Sequence, residues 1–198
     1  MRAVHEARAS ARNGPSGILT AWLRFSRCAH HGGASKALDA YADEDAAFWA
    51  AELGRPIPAG LFGENLRTAG LDVNGAEIGE RWAIGDELVV EVTCPRMPCA
   101  VFQRRMQEPQ WVKRFTQEGR PGAYLSVAKP GTVGAGDVVR VLSRPGHGVS
   151  IASWFTGADA AQADALEAAE AAGLLTLVPE MRESVEGVRS RGLLVLDK

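Results

Sequence analysis

At 198 residues, 46% of them hydrophobic and 23% charged, the chain has room for one ordinary domain plus a short appendage, and disorder throughout is excluded. Its 22 Lys and Arg nearly balance 24 Asp and Glu, so charge gives no sign of a nucleic-acid partner; no apolar run approaches the roughly 20 residues that span a bilayer, and a soluble, cytoplasmic protein without a membrane partner is expected. Three cysteines, Cys28, Cys94 and Cys99, are too few and too odd for a secreted disulfide framework and leave at least one thiol outside any disulfide.

Residues 1–29 carry five arginines against one acidic residue, Glu6. The composition overlaps with that of organelle transit peptides, but we read it as a divergent start of the folded domain. Asp43 to Leu53 is expected to be a helix, with Glu44 and Asp45 suiting its positive first turn and Gly54 ending it. Pro56 and Pro58 force a loop, after which Leu61–Thr68 reads as a strand entered through Gly63. Ile78–Ile84 and Leu88–Thr93 read as strands joined by a Gly85-Asp86 hairpin turn. Pro95 and Pro98 bracket a stiff loop from Cys94 to Cys99. Pro109 suits the first turn of a short helix through Trp111, Val112 and Phe115, and the Gly119–Gly122 turn leads to a strand at Ala123–Ala128. Turns at Pro130-Gly131 and Gly136-Asp137 flank strands ending near Leu142. Many short strands, 22 Gly and 10 Pro point to a closed or nearly closed barrel.

Beyond Arg144-Pro145-Gly146 the pattern turns helical, with helices over Ser150–Phe155, Ala158–Ala172 and Pro179–Arg189. Gly173 would cap the second, whose small-residue face of Ala161, Ala165, Leu166, Ala168 and Ala169 suits packing against the barrel. The expected organisation is therefore 1–29 as an Arg-rich leading segment, 30–145 as the barrel and 146–198 as a helical tail.

Three clusters carry chemistry. His30-His31-Gly32-Gly33 with Lys36, and Gly63-Glu64-Asn65-Leu66, each read first as a polar turn. The Cys94–Cys99 loop is different, because a thiol at Cys99 close to Arg96 on a stiff loop favours the thiolate. Such a sulfur can be a nucleophile, a redox thiol or a ligand for a soft metal. Paired zinc-ligand spacing is missing; a hydrolase would need His31 and Glu64 within reach of Cys99, and a Cys94–Cys99 disulfide is a minor alternative.

The ordered run His31-Gly32-Gly33 with Lys36 and Tyr41, Gly60-Leu61-Phe62-Gly63-Glu64-Asn65-Leu66, Ile78-Gly79-Glu80-Arg81, Pro95-Arg96-Met97-Pro98-Cys99, Arg114-Phe115, Gly119-Arg120-Pro121-Gly122-Ala123-Tyr124 and Arg144-Pro145 resembles a MOSC domain, the module named for the C-terminal part of molybdenum-cofactor sulfurases. The tail resembles that of bacterial MOSC proteins, a group containing molybdenum-dependent reductases of N-hydroxylated bases such as 6-hydroxylaminopurine. The resemblance implies a mainly β, α+β fold: a MOSC-type β-barrel followed by a small C-terminal three-helix segment. It implies the molybdenum cofactor (molybdopterin), with Cys99 as its sulfur ligand to molybdenum. Arg96 would favour the thiolate and contact the phosphate, Asn65 would bond the pterin or the backbone, Glu64 would orient the site or relay a proton, and His31 would bind or protonate. Lys36, Arg67 and Arg120 are further candidates for anion contact.

The leading functional expectation is an oxidoreductase that reduces N-hydroxylated small molecules. Electrons would come from a separate reductase, since the chain carries no flavin or Rossmann fingerprint. The alternatives are a carrier of the cofactor or of a Cys99 persulfide, and a degenerate barrel that no longer binds cofactor. Pyridoxal phosphate is not expected, because the chain has no room for the desulfurase domain that holds it in fused relatives. Monomer and homodimer are both compatible with the sequence. Relatives typically carry Gly-Leu-x-Gly-Asp before the histidines, where this chain reads Leu19-Thr20-Ala21-Trp22-Leu23-Arg24-Phe25-Ser26-Arg27. Closure of the barrel at its N-terminal strand is thus the question put to the structure.

Overall fold

The computed structural model describes residues 7–11, 18–20 and 33–196; Cys28 and His31 lie outside them. In chain order the strands are β1 (Ala7–Ala11), β2 (Ile18–Thr20), β3 (Leu38–Ala42), β4 (Leu66–Ala69), β5 (Arg81–Ile84), β6 (Leu88–Pro95), β7 (Ala123–Lys129), β8 (Thr132–Gly134) and β9 (Val138–Ser143). The helices are α1 (Asp43–Leu53), α2 (Ala100–Met106), α3 (Trp111–Glu118), α4 (Ile151–Gly157), α5 (Ala160–Ala171) and α6 (Pro179–Leu196). Seven strands form a closed barrel in the order β1-β4-β3-β7-β6-β5-β9, and β2 pairs with β8 outside it. No helix among the described residues is long and apolar enough to cross a membrane.

The leading segment answers the closure question directly. β1 runs antiparallel to β4, with Arg8 opposite Ala69 and Ala11 opposite Leu66, and its first residues pair with Val138 and Val139 of β9. The Arg-rich stretch therefore contributes the strand that seals the barrel and leaves no unpaired edge there. Elsewhere the ladders follow the turn chemistry. Ile84 pairs with Leu88 across a short loop in which Gly85 has φ 60, a conformation in which glycine meets no Cβ penalty.

One ladder is parallel, β3 with β4. A parallel pair needs a crossover, and here that crossover holds α1 followed by the loop that carries Gly60, Gly63 and Glu64. Three acidic residues occupy the first turn of α1, and Gly54 closes it in the left-handed conformation at φ 62. On the far side, capping boxes start α4 at Ser150 and Ser153 and α5 at Asp159 and Gln162. Leu175, Leu177, Met181, Val185 and Val188 then join the barrel core.

The structure departs from the sequence reading in five places. β3 was not expected, because Leu38–Ala42 is buried at every position and so lacks the alternation of a half-buried strand. The strand expected over Leu61–Thr68 is confined to Leu66–Ala69, since Gly60 and Gly63, at φ 79 and 99, turn the chain first. α2 starts directly after Pro98-Cys99, where the prolines suggested only a loop. Pro109 precedes α3 rather than lying in its first turn, and Gln110 at φ 52 is the N-cap. The buried side of α5 is Ala163, Leu166 and Ala169, a different set from the small-residue face expected.

Candidate functional site

A second core, built mainly from aromatic rings, lies outside the barrel. Tyr41 from β3, Trp49 from α1, Phe62, Phe102 from α2, and Trp111 and Phe115 from α3 are all buried together. Their rings meet mostly edge to face, Trp49 against Trp111 at 4.6 Å and Phe62 against Phe102 at 5.2 Å, the arrangement that aromatic quadrupoles favour. The Trp49 indole N–H donates to the Tyr41 hydroxyl at 3.1 Å. This cluster fixes the site from two directions. Phe62 holds the Gly60–Gly63 loop, and Phe102 holds the start of α2, where Cys99 is the half-buried N-cap residue.

Between these two arms lies a buried group of charges: Asp39 (9% exposed), Glu64 (3%), Arg67 (2%) and Arg96 (8%). Glu64 Oε1 accepts from the Gly60 backbone N–H at 2.6 Å and from Arg67 Nε at 2.9 Å, with Arg67 Nη2 also donating to it. Arg67 further meets the Pro58 carbonyl at 3.3 Å and Asp43 at 3.5 Å, so its cation is answered from within the fold. Arg96 Nε faces Asp39 Oδ2 at 3.4 Å, and its guanidinium lies over the Phe102 ring at 4.7 Å. Burial pushes the Asp39 carboxyl up to about 6, with Arg96 pulling it back and Glu64 adding to the rise.

This group is incompletely satisfied. Asp39 Oδ1, Glu64 Oε2 and Arg96 Nη1 are buried and have no hydrogen-bond partner among the described residues. Buried polar atoms are rarely left this way. Beside them, a Cβ built on Gly63 would stand 3.2 Å from Arg96 Nη2 and 4.0 Å from Arg105 Nη1. Glycine thus keeps open a notch faced by two guanidinium groups, and Arg105 Nη2 donates to the Gly60 carbonyl at 2.8 Å to hold its own side.

Strand register extends the site across the barrel. Asp39 pairs with Tyr124 on β7, and Tyr124 pairs with Cys94 on β6. Burial, with Asp39 next in effect, pushes the Tyr124 hydroxyl up to about 12, and Arg96, Cys94 and Cys99 act on it as well. Burial likewise pushes the Cys94 thiol up to about 11. Cys94 and Cys99 are thiols, not joined to each other.

Of the residues singled out in the sequence, Cys99, Glu64, Arg67 and Arg96 flank the Gly60–Gly63 loop or the stretch leading into α2. Asn65 stands beside them but is turned to the backbone: its Oδ1 accepts from the Asp39 N–H at 2.9 Å, bracing β3 where Asp39 begins to line the site. Lys36 is bound to Glu180 of α6 at 3.0 Å and lies over the Tyr124 ring at 5.6 Å. Arg120 belongs to another network, donating to Asp45 Oδ1 at 2.7 Å and covering the Phe48 ring. Asp39, Tyr124 and Arg105 were not singled out by the sequence.

The molecule is thus a closed β-barrel that carries a half-buried thiol and buried polar atoms without partners among the described residues. Comparison with known proteins makes this specific. The MOSC domain model matches residues 28–140, more than half of the sequence, and the chain belongs to the MOSC domain family. It is 37% identical over 122 residues to the uncharacterized protein YflK of Bacillus subtilis, covering 62% of this chain and 55% of YflK. It is 32% identical over 119 residues to protein YiiM of Escherichia coli, covering 58% and 52%. A protein of Gibberella moniliformis named reductase is 34% identical over 119 residues, covering 58% of this chain and 21% of that protein. The chain thus spans about half the length of YflK and YiiM and a fifth of the reductase. Among solved structures, YiiM from Geobacillus stearothermophilus matches with a TM-score of 0.68 at 29% identity, covering 78% of this chain and 79% of that one. YiiM from Escherichia coli matches in fold with a TM-score of 0.73, covering 94% of each chain.

Proposed function

We propose that the barrel mouth binds the molybdenum cofactor through Cys99 and serves the two-electron reduction of an N-hydroxylated small molecule. The observation that carries this reading is the set of three buried atoms without partners, Asp39 Oδ1, Glu64 Oε2 and Arg96 Nη1, next to a half-buried thiol. Two acceptors and a cation fit a ligand that brings both N–H donors and an anion, which a phosphorylated pterin does. Its phosphate would meet Arg96 and Arg105 across the Gly63 notch, its ring N–H groups would meet Glu64 and Asp39, and the soft Cys99 sulfur would ligate the metal. When bound, the group supplies a centre that passes two electrons.

The net reaction is R–NHOH + 2e⁻ + 2H⁺ → R–NH₂ + H₂O: the N–O bond breaks and the oxygen leaves as water. The electrons come from a separate reductase. Asp39, whose burial keeps a proton on it well above the usual carboxylate range, holds a proton inside the mouth at the place where one is consumed. The name of the Gibberella moniliformis relative supports a reductive activity for this family branch. His31 enters this proposal on the resemblance alone.

The test is expression in a host that makes the cofactor, followed by measurement of bound molybdenum in wild type and in Cys99→Ala, and of viologen-driven reduction of a hydroxylamino base. Molybdenum in wild type, none in the variant, and turnover are expected. Metal without turnover would redirect the reading to a carrier, and no metal in wild type would refute it.

A further inference from the structure

α2 has two unlike sides. Phe102 and Met106 turn into the ring cluster, while Val101, Arg104 and Arg105, spaced three and four residues apart, share the outward side and are exposed. Val101 is 57% exposed, and Met97, on the stretch leading into the helix, is 63% exposed. Two large apolar side chains this open in one short stretch mark a contact surface better than singly scattered ones do.

The charge around them is one-sided. From Met97 to Gln117 the chain holds four basic residues, Arg104, Arg105, Lys113 and Arg114, and one acid, Glu108, although its net charge as a whole is −2. Glu108 is taken up by Arg55 at 3.2 Å. Arg104, Lys113 and Arg114 have no ion-pair partner among the described residues. Gln103 ties α2 to α3, accepting the Val112 N–H at 3.0 Å and donating to the Glu108 carbonyl, so Arg104 and Lys113 ride on cross-linked, neighbouring helices. A local excess of unpaired cations on a chain that is acidic overall steers a negatively charged partner to that place.

We propose that the α2–α3 face, built from Met97, Val101, Arg104, Lys113 and Arg114, is the docking surface for a protein whose own contact face is rich in Asp and Glu, and that this partner is the electron donor. The identity of the partner rests on the function proposed above; the surface does not. Cys99 stands between Met97 and Val101 in the chain and is the N-cap residue of α2, so a donor seated here has its redox group on the side of the mouth where the sulfur would meet the metal. Electron-transfer encounters are charge-led and small, under roughly 1,200 Å² in total, which a helix of 7 residues, its rim and one neighbour can supply. A membrane surface would call for a broader apolar side, whereas α2 offers one valine and its rim one methionine. In the step served, two reduced one-electron donors D are oxidised and the N–O bond takes both electrons: R–NHOH + 2 D(red) + 2H⁺ → R–NH₂ + H₂O + 2 D(ox).

The probe is a two-iron ferredoxin, a small and strongly acidic one-electron carrier, labelled and titrated with the full chain by fluorescence anisotropy. Saturable binding is expected at about 20 mM salt, and binding at least tenfold weaker at about 300 mM. Arg104→Glu combined with Lys113→Glu should weaken low-salt binding tenfold or more, and Val101→Ser severalfold with its salt dependence retained. Arg104→Gln, milder than the double reversal, should weaken binding severalfold and reports on the surface if the double variant fails to fold. In molybdenum-loaded protein the same variants should slow ferredoxin-driven reduction and leave viologen-driven reduction unchanged, because a small cationic dye needs no acidic docking partner. Absence of ferredoxin binding at low salt, binding that no variant changes, or tighter binding through these residues to vesicles of phosphatidylserine and phosphatidylcholine in equal parts would overturn the proposal. Ferredoxin binding through these residues in a protein that takes up no molybdenum would keep the surface and sink the reductase reading, whereas viologen-driven turnover with ferredoxin binding untouched by the variants would do the reverse.

Discussion

Replacing Glu64 by Gln isolates the most buried charge pair among the described residues. The carboxylate and the Arg67 guanidinium have side chains 1% and 2% exposed, so neither can recover solvation when the other is neutralised. Removing one partner of such a pair typically destabilises by about 3–5 kcal/mol. Gln retains one carbonyl oxygen for the Gly60 N–H and for Arg67, which places the expected loss near the lower end, about 3 kcal/mol. Asp43, 3.5 Å from Arg67 Nη1 but with its side chain 59% exposed, relieves little of this, because solvent screens it. With a urea dependence of about 2 kcal/mol per molar, the unfolding midpoint should fall by about 1.5 M. Glu64→Leu with Arg67→Met, which removes both charges, should recover most of the stability lost by either single variant. A Glu64→Gln midpoint within about 0.2 M of wild type would refute the claim that this pair is desolvated and mutually dependent.

Two further outcomes follow from the buried titrating groups. Because the folded Asp39 carboxyl, at about 6, lies above its ordinary value of 3.8, the folded state binds the extra proton. The stability that Asp39 contributes is therefore full below about pH 4 and is lost as pH rises through about 6, amounting to about 3 kcal/mol. Wild type should lose stability relative to Asp39→Asn between pH 4 and 7 in urea titrations, and a constant difference across that window would contradict the assignment. Cys94, buried and with its thiol at about 11, should resist iodoacetamide at pH 8 in the native protein and label fully in urea, as read by peptide mass spectrometry; native labelling at a rate close to that in urea would contradict its burial.

The strands of the barrel were legible wherever a turn residue broke the pattern, as at Gly85-Asp86 between β5 and β6. β3 was hidden because five consecutive buried positions carry no periodicity, and α2 because two prolines conceal a helix that begins two residues after Pro98. At the site, Arg96 and Cys99 stood out through the stiffness and charge of one local loop. Asp39, Tyr124 and Glu180 did not, for a common reason. Their roles come from strand register, which sets Asp39 beside Tyr124 and Tyr124 beside Cys94, or from docking across 145 residues of chain, as between Ser35 and Glu180. Neither relation leaves a mark in local sequence.

The span between Lys36 and Glu180 also orders events during synthesis. Every strand of the barrel is complete by Ser143, so the mouth with its charged group can take shape while α6 is still to be made. Until α6 is made, Lys36 and Ser35 have yet to meet the carboxylate that ties the tail to the barrel rim.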